Sequence, residues 1–328
     1  MTTLRTSRRG MLGTAAALPI AVLAGSARPQ SEPFPSRTLR IVSAVAPGSG
    51  ADIYARYYAT KLTDILGKPV VVENKPGGDG AIAARAVLGE PPDGHTMLVG
   101  SNTPMAVNVV TVRNLPYDPQ KDFRPIAGMS RTMAFFLVPA ASPLRGVEDL
   151  VARGQRQPPL QSGTYSTGYQ LAAAQFTAKA GFTFETVLYR GLAQTMTDLI
   201  AGRLDLAVVD SAGSLDMLKA GTVRAIAVTG ERRHPDLPDV PALKDSGFPE
   251  AIHYSWTSLW TDARVPDARV AVLGDAMQKV IALPETKAFV EGAGGEMLPL
   301  DPEGMRRFQQ SEIARFRRAA EASNFQPQ

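Results

Sequence analysis

Short β-branched runs alternate with amphipathic helical stretches along most of this chain, and partway through the alternation starts again. Leu39 to Val45, Val70 to Glu73 and Met97 to Ser101 are separated by helical patterns that begin near Ala51 and Ala81. Strands spaced by helices cannot pair through hairpins, so the pattern predicts a parallel α/β sheet. In the first helix Ile53, Tyr57, Leu62, Ile65 and Leu66 recur near the 3.6-residue period, and Gly67 followed by Pro69 ends it. After "LPYDPQKDFRPIAG", a polar link bearing prolines, the pattern resumes with Ala134 to Val138, a helix near Val147 to Arg156, and the strand-like runs Thr186 to Tyr189, Leu206 to Val209 and Arg224 to Val228. Each segment places a Gly/Ser/Thr loop between a candidate strand and an amphipathic helix, "VAPGSGAD" in the first and "QSGTYSTG" in the second. Two equivalent α/β lobes fit this repetition. From "SWTSLWT" onward the chain reads as mainly helical, with "RVAVLGDAMQKVIAL" and "PEGMRRFQQSEIARFRRAAEA" the clearest amphipathic runs. A chain that crosses between lobes twice makes a two-stranded hinge and a cleft whose walls can close on a ligand.

The N-terminus predicts export. Residues 1–27 hold Arg5, Arg8 and Arg9, no acidic residue, and an apolar run from Met11 to Ala24. Ser7-Arg8-Arg9-Gly10-Met11-Leu12 carries paired arginines of the twin-arginine kind, and Gly25-Ser26-Ala27 offers a cleavage site after Ala27. The run falls short of the ~20 apolar residues a membrane span requires. Removing those three arginines from the formal charge of +4 leaves 4 − 3 = +1, so the basic balance advertises no nucleic acid. The densest basic cluster, Arg306 and Arg307 with Arg315, Arg317 and Arg318, is interrupted by acids at helical spacing and reads as a solvated helix face. The mature 328 − 27 = 301 residues exceed one ordinary core and favour two domains. With no cysteine, disulfides, thiolate metal sites and cysteine nucleophiles are excluded together.

The loop Pro47-Gly48-Ser49-Gly50 precedes a helix, where unpaired amides and the positive dipole end receive small anions. A nucleotide phosphate is a poor fit. The phosphate-cradle pattern has no match: Gly67-Lys68 has Leu62 at the upstream glycine position and Pro69 where Ser or Thr is needed. Gly48 and Gly50 with Glu73 imitate a dinucleotide site, but Ile53 occupies the third small position. His95, His234 and His253 have no metal-ligand spacing and read as turn or core residues. "TYSTG" puts Thr164 in place of the first glycine of a nucleophile elbow. No cofactor is expected. A carboxylate received by backbone amides remains, unless Gly48 and Gly50 only make a turn and Asp52 only favours the helix dipole.

Taken in order, "VAPGSGADIYARYYATKL", "GKPVVVENKPGGDGAIAARAV", "PPDGHTMLVGS", "LPYDPQKDFRPIAG", "YRGLAQTMTDLIAGRLDLAVVDS" and "LKAGTVRAIAVTGERRHPDLPDVPALKDSGFP" resemble the Bug family, the extracytoplasmic solute receptors of tripartite tricarboxylate transporters. The resemblance spans nearly the whole mature chain. It implies a two-lobed periplasmic binding protein fold of type II, each lobe a parallel-type sheet flanked by helices, a small carboxylate ligand, two membrane subunits as partners, and a periplasmic location. The lobes are expected at residues 34–133 plus 256–328 and at 134–255, in a monomer that binds without turnover.

Carried over by the same resemblance, the first-lobe site is Pro47, Gly48, Ser49 and Gly50 with Asp52, where the family commonly has A-P-G-G-G-x-D. Ser101 and Asn102 match its S-N after the third strand. In the second lobe Ser162-Gly163-Thr164-Tyr165-Ser166-Thr167-Gly168 stands where the family often reads S-A-G-x-G-T-S, so Ser162 and Thr167 are kept and two glycines are lost; Thr164, Tyr165 and Ser166 complete that loop. Asp210 matches the family aspartate at a strand end. Asp52 and Asp210 also have plain structural readings as first-turn and capping residues, and Ser101 and Asn102 as a turn. Tyr165 is the departure that would narrow the pocket or stack on a flat ligand. The competing class is an exported two-domain α/β hydrolase or transferase acting on a small carboxylate.

Overall fold

The computed structural model describes residues 33–327, so the export segment read over residues 1–27 lies outside the described residues. Ten strands are formed among the described residues: β1 (Leu39–Ser43), β2 (Val70–Asn74), β3 (Thr96–Ser101), β4 (Phe123–Pro139), β5 (Gln161–Thr164), β6 (Glu185–Leu188), β7 (Leu206–Asp210), β8 (Val223–Val228), β9 (Tyr254–Asp262) and β10 (Glu296–Met297). The α-helices are α1 (Gly50–Leu66), α2 (Ala81–Leu88), α3 (Asn108–Thr111), α4 (Val147–Gly154), α5 (Thr167–Ala180), α6 (Leu192–Ile200), α7 (Ser211–Lys219), α8 (Asp267–Ile281), α9 (Pro284–Gly292) and α10 (Pro302–Ala322).

The strands run in the order β2-β1-β3-β9-β4-β7-β5-β6, with β8 and β10 also paired to β4. The outer pairs β1–β2, β1–β3, β5–β6 and β5–β7 are parallel, as the βα alternation predicts. The centre is not. β9 is antiparallel to both β3 and β4, and β4 is antiparallel to β7 and β8, so the sheet is mixed rather than parallel. Two misread segments account for this. The link "LPYDPQKDFRPIAG" turns only as far as Asp122; from Phe123 the chain enters a strand of 17 residues, and Pro125 is tolerated beside a register shift in the β4–β9 ladder. "SWTSLWT" lies inside β9, buried along its whole length, because Trp256 and Trp260 point to one face and Leu259 to the other.

β4 links the two sheet regions: Phe123–Met133 pairs with β9, and Ala134–Pro139 with β7 and β8. Alternation along the strands fills a core on both faces of each region. Val42 and Leu98 face Trp256, Trp260 and Phe316, whereas Ile41, Met97 and Val99 face Tyr54, Tyr58 and Leu62. In the second region Phe136 and Val208 pack toward Phe176, and Phe135 and Val209 toward Met196 and Leu199. Each such side chain contributes about 1.5–3 kcal/mol by leaving water. The buried stripe of α1 is Tyr54, Ala55, Tyr58, Ala59 and Leu62, one residue on from the Ile53 and Tyr57 read in the sequence, because the small alanines let the helix lie close on the sheet. Gly67 ends α1 in the left-handed conformation, its amide donating to the Thr63 carbonyl.

Candidate functional site

The loop before α1 is built around Asp52. One carboxylate oxygen accepts from the Gly48 amide at 2.9 Å and from Arg56 Nε at 2.9 Å; the other accepts from Asn74 Nδ2 at 2.6 Å. Asn74 also donates to the Val45 carbonyl, so the end of β2 holds the loop that leaves β1. Asp52 is 2% exposed and all its bonds are to the protein. This internal bracing leaves Gly50 as the first helical residue, with Tyr54 one turn behind it.

The second loop, after β5, starts α5. Ser166 caps it, its Oγ accepting from the Gly168 amide at 3.1 Å. A second cap comes from the other sheet region: Asp79, in the "KPGGDG" turn after β2, accepts from the Thr167 amide at 3.2 Å and from the Thr167 hydroxyl. Thr103 Oγ1 meets Ser166 Oγ at 2.7 Å along the same seam. A reciprocal arrangement stands at α7, where Asp210 caps Gly213 N at 2.9 Å, accepts from the Tyr165 hydroxyl, and lies against Gly50. Each of the two loop helices, α1 and α5, therefore meets an aspartate of the opposite region at its N-terminus.

Between these loops is a cavity of about 520 Å³, within the roughly 300–1,000 Å³ common for small-molecule sites. Of the residues expected at a site, Gly50, Ser101, Asn102, Tyr165, Ser166 and Asp210 line it. The others do not. Pro47 and Gly48 are exposed on the outer side of their loop. Ser49 is buried, with its Oγ directed to the Leu192 amide at 3.4 Å. Asp52 is spent on bracing, Ser162 and Thr164 are buried within β5, and Thr167 is held by Asp79.

Sequence reasoning missed several lining residues, among them Tyr54, Asp79, Thr103, Tyr169, Arg190, Ser255 and Thr257. A signal for two was present: in β9, Ser255 and Thr257 alternate with Trp256, which marks a strand with a small polar face turned inward. Ser255 donates to Asn102 Oδ1 at 2.9 Å, and His253 Nε2 lies 3.5 Å from Asn102 Nδ2, so Asn102 is oriented from behind. Burial pushes His253 down to about 3, which keeps the ring neutral and able to accept from that amide.

Burial also dominates the polar groups of the cavity. It pushes the Asp210 carboxyl up to about 6, against the amide hydrogen bonds of the α7 cap. It raises the Tyr54 phenol, with the Asp210 charge adding to the effect. Tyr54 is 1% exposed and its hydroxyl has no hydrogen-bond partner among the described residues. The hydroxyl is closed off from solvent beside Ser130, which acts to lower the phenol against burial, and a Cβ at Gly295 would stand 2.3 Å from it.

A model of the TctC family, described as the tripartite tricarboxylate transporter family receptor, matches residues 54–325. A UPF0065 protein of Pseudomonas sp. (strain P51), from the tcbD-tcbE intergenic region, is 30% identical over 308 residues that cover 92% of this chain and 91% of its own. The structure of R. palustris Rpa4515 with adipate is similar, at 28% identity and a TM-score of 0.87, over 90% of this chain and 100% of that one. A structure of a periplasmic transporter is similar at 27% identity and a TM-score of 0.85, over 89% and 99%. The fold is that of the α/β periplasmic binding proteins, with mixed sheets flanked by helices.

Proposed function

This chain belongs to the tripartite tricarboxylate transporter receptor family, and we propose that it captures a small carboxylate in the cavity between its two loop helices and delivers it to the membrane subunits of such a transporter. The family is one of binding proteins, so the reading as an exported hydrolase or transferase is set aside. The observation that carries the proposal is the buried, unpaired Tyr54 hydroxyl one turn behind Gly50. Together they offer a carboxylate one hydroxyl donor and the free amides of a helix start. Gly50, Ser101, Asn102, Tyr165, Ser166 and Asp210 are the expected residues that shape this seat; Pro47, Gly48, Ser49, Asp52, Ser162, Thr164 and Thr167 support it from outside.

The lobes run over residues 34–133 plus 256–328 and over 134–255. Both crossings then fall inside paired strands, β4 and β9, which suits a hinge. Residues 1–27 direct export by the twin-arginine route, with cleavage after Ala27, and the mature chain acts as a monomer in the periplasm. That a similar protein holds adipate supports a carboxylate as cargo. A thermal-shift panel pairing each acid with its amide tests the assignment, since a ligand of the native state raises the melting temperature by mass action. Acids are expected to stabilise and amides not; equal stabilisation by both overturns it.

A further inference from the structure

Among the described cavity-lining residues Arg190 is the only basic one. It follows β6 at the rim, beside Leu188, which is 47% exposed. Its backbone is held on several sides. The preceding Tyr189 donates from its amide to Thr164 at 2.7 Å and from its hydroxyl to Asp198 at 2.7 Å. The following Gly191 packs so tightly on the α1 loop that a Cβ there would lie 2.7 Å from the Ala46 Cβ, and the Leu192 amide reaches Ser49 Oγ. The side chain is exposed and has no carboxylate within ion-pair distance among the described residues, whereas nearby Arg203 is paired with Asp198 at 2.7 Å. The two acids of the cavity are engaged elsewhere, Asp79 by Thr167 and Asp210 by Gly213 and Tyr165.

A monocarboxylate seated at the α1 helix start leaves this guanidinium without an anion. We propose that Arg190 is the specificity residue that receives the second carboxylate of an extended dicarboxylate at the cavity rim. The inference rests on the carboxylate reading above and narrows its ligand class. A fixed guanidinium fork matches a carboxylate through two parallel N–H donors. A cation at this position also offsets the two acids that would otherwise make the cavity repel a dianion.

The test is calorimetric titration of the mature protein with succinate, adipate and suberate, each against butyrate, hexanoate or octanoate of matching length. The wild type is expected to bind at least one diacid about tenfold or more tighter than its monoacid, and Arg190→Gln to remove that excess while leaving monoacid affinity and melting temperature unchanged. Arg190→Lys, which keeps the charge but loses the fork, is expected to fall between them. A diacid preference that survives Arg190→Gln overturns the proposal while leaving the carboxylate reading standing. So does a wild type that binds monoacids equally well. A wild type that binds no acid of either series overturns both.

Discussion

Gly50, the first residue of α1, and Asp210, the cap of α7, lie so close that a Cβ at position 50 would stand 2.5 Å from Asp210 Oδ1 and 3.0 Å from its Cγ. Only a hydrogen fits there. The two residues belong to different sheet regions, so the contact joins the walls of the cavity at the helix start expected to receive an anion. Asp210 cannot swing aside without giving up its bonds to Gly213 and Tyr165.

Gly50→Ala is therefore expected to act on closure more than on folding. Position 50 is helical, and alanine there carries no backbone strain and gains about 1 kcal/mol of helix propensity. Overpacking against Asp210 costs about 1–3 kcal/mol, which the protein escapes by parting its walls. Carboxylate affinity should fall about tenfold or more, with the unliganded melting temperature within a few degrees of wild type. Gly50→Asp adds like charge beside Asp210, worth about 4 kcal/mol at ~4 Å and an intermediate dielectric, and should bind more weakly still. Undiminished affinity in the alanine variant would show that the close approach does not set the closed cavity.

Asp210 gives the stability a pH dependence of defined sign. Its carboxyl rises from 3.8 to about 6 on burial, so in that window the folded state holds the proton more often than the unfolded chain. The contribution is fully present below 3.8 and is lost as pH rises through about 6, by on the order of 3 kcal/mol. Asp93, Asp262 and Glu296 are held below their ordinary values and act oppositely, so the comparison must isolate one group. Asp210→Asn keeps an oxygen for the α7 cap and does not titrate. Denaturant unfolding at a series of pH values should show the variant gaining on wild type as pH rises through 6; parallel curves would contradict the shift. A ligand carboxylate should also bind more tightly as pH falls through 6, until the ligand itself protonates.

How much of this was legible depends on whether a residue's partners are local. α1 ends where Gly67 says it must, and Asp210 caps α7 as its plain structural reading has it, because both are settled within a few residues. Residues 123–133 of β4 and all of β9 depart from the readings as a polar link and a helical tail, because burial on both faces leaves little more than Ser255-Trp256-Thr257 to show the alternation of a strand. Asp52 and Thr167 carry the polarity of ligand residues, yet their partners, Asn74 and Asp79, lie 22 and 88 positions away. Asp79 itself hid in a glycine-rich turn. Its φ of 48° is a conformation that usually belongs to glycine, and its role exists only once the second region is docked.

Asp52 should behave as a structural brace. Asp52→Ala takes the acceptor from the Gly48 amide and one of two from Asn74 Nδ2, which keeps its bond to the Val45 carbonyl; hydrogen bonds to a charged group are worth about 1.5–3 kcal/mol each. The melting temperature should drop by several degrees without ligand present. Asp52→Asn keeps acceptors for part of the network and should lose less. If both variants melt like wild type and lose only affinity, Asp52 belongs to the ligand rather than to the loop.

The Asp79 bond to Thr167 should bias the unliganded protein toward closure. Asp79→Gly removes the carboxylate while relieving a left-handed backbone that costs about 1 kcal/mol in a residue with a side chain, so folding is preserved. Small-angle scattering should then give a larger radius of gyration without ligand than for wild type. Asp79→Asn, which tolerates the same φ and keeps an oxygen for the Thr167 amide, should stay closer to wild type. Identical radii for Asp79→Gly and wild type would show that the cross-region cap does not hold the walls together.

Tyr54→Phe separates binding from folding most cleanly, because it removes one oxygen that the protein does not use. The Tyr54 hydroxyl is buried without a partner among the described residues, and leaving such a group unpaired costs about 1–3 kcal/mol. Deleting it should leave the unliganded melting temperature unchanged or raise it. The ring, 1% exposed and packed on α1's core face, stays in place. In the complex the hydroxyl donates to the ligand carboxylate, and a hydrogen bond to a charged acceptor is worth about 1.5–3 kcal/mol, so affinity should fall by roughly ten- to a hundredfold. The two effects have opposite signs, and a merely structural role cannot produce both. A Tyr54→Phe protein that binds its acid as tightly as wild type would place the carboxylate elsewhere in the cavity, away from the α1 helix start.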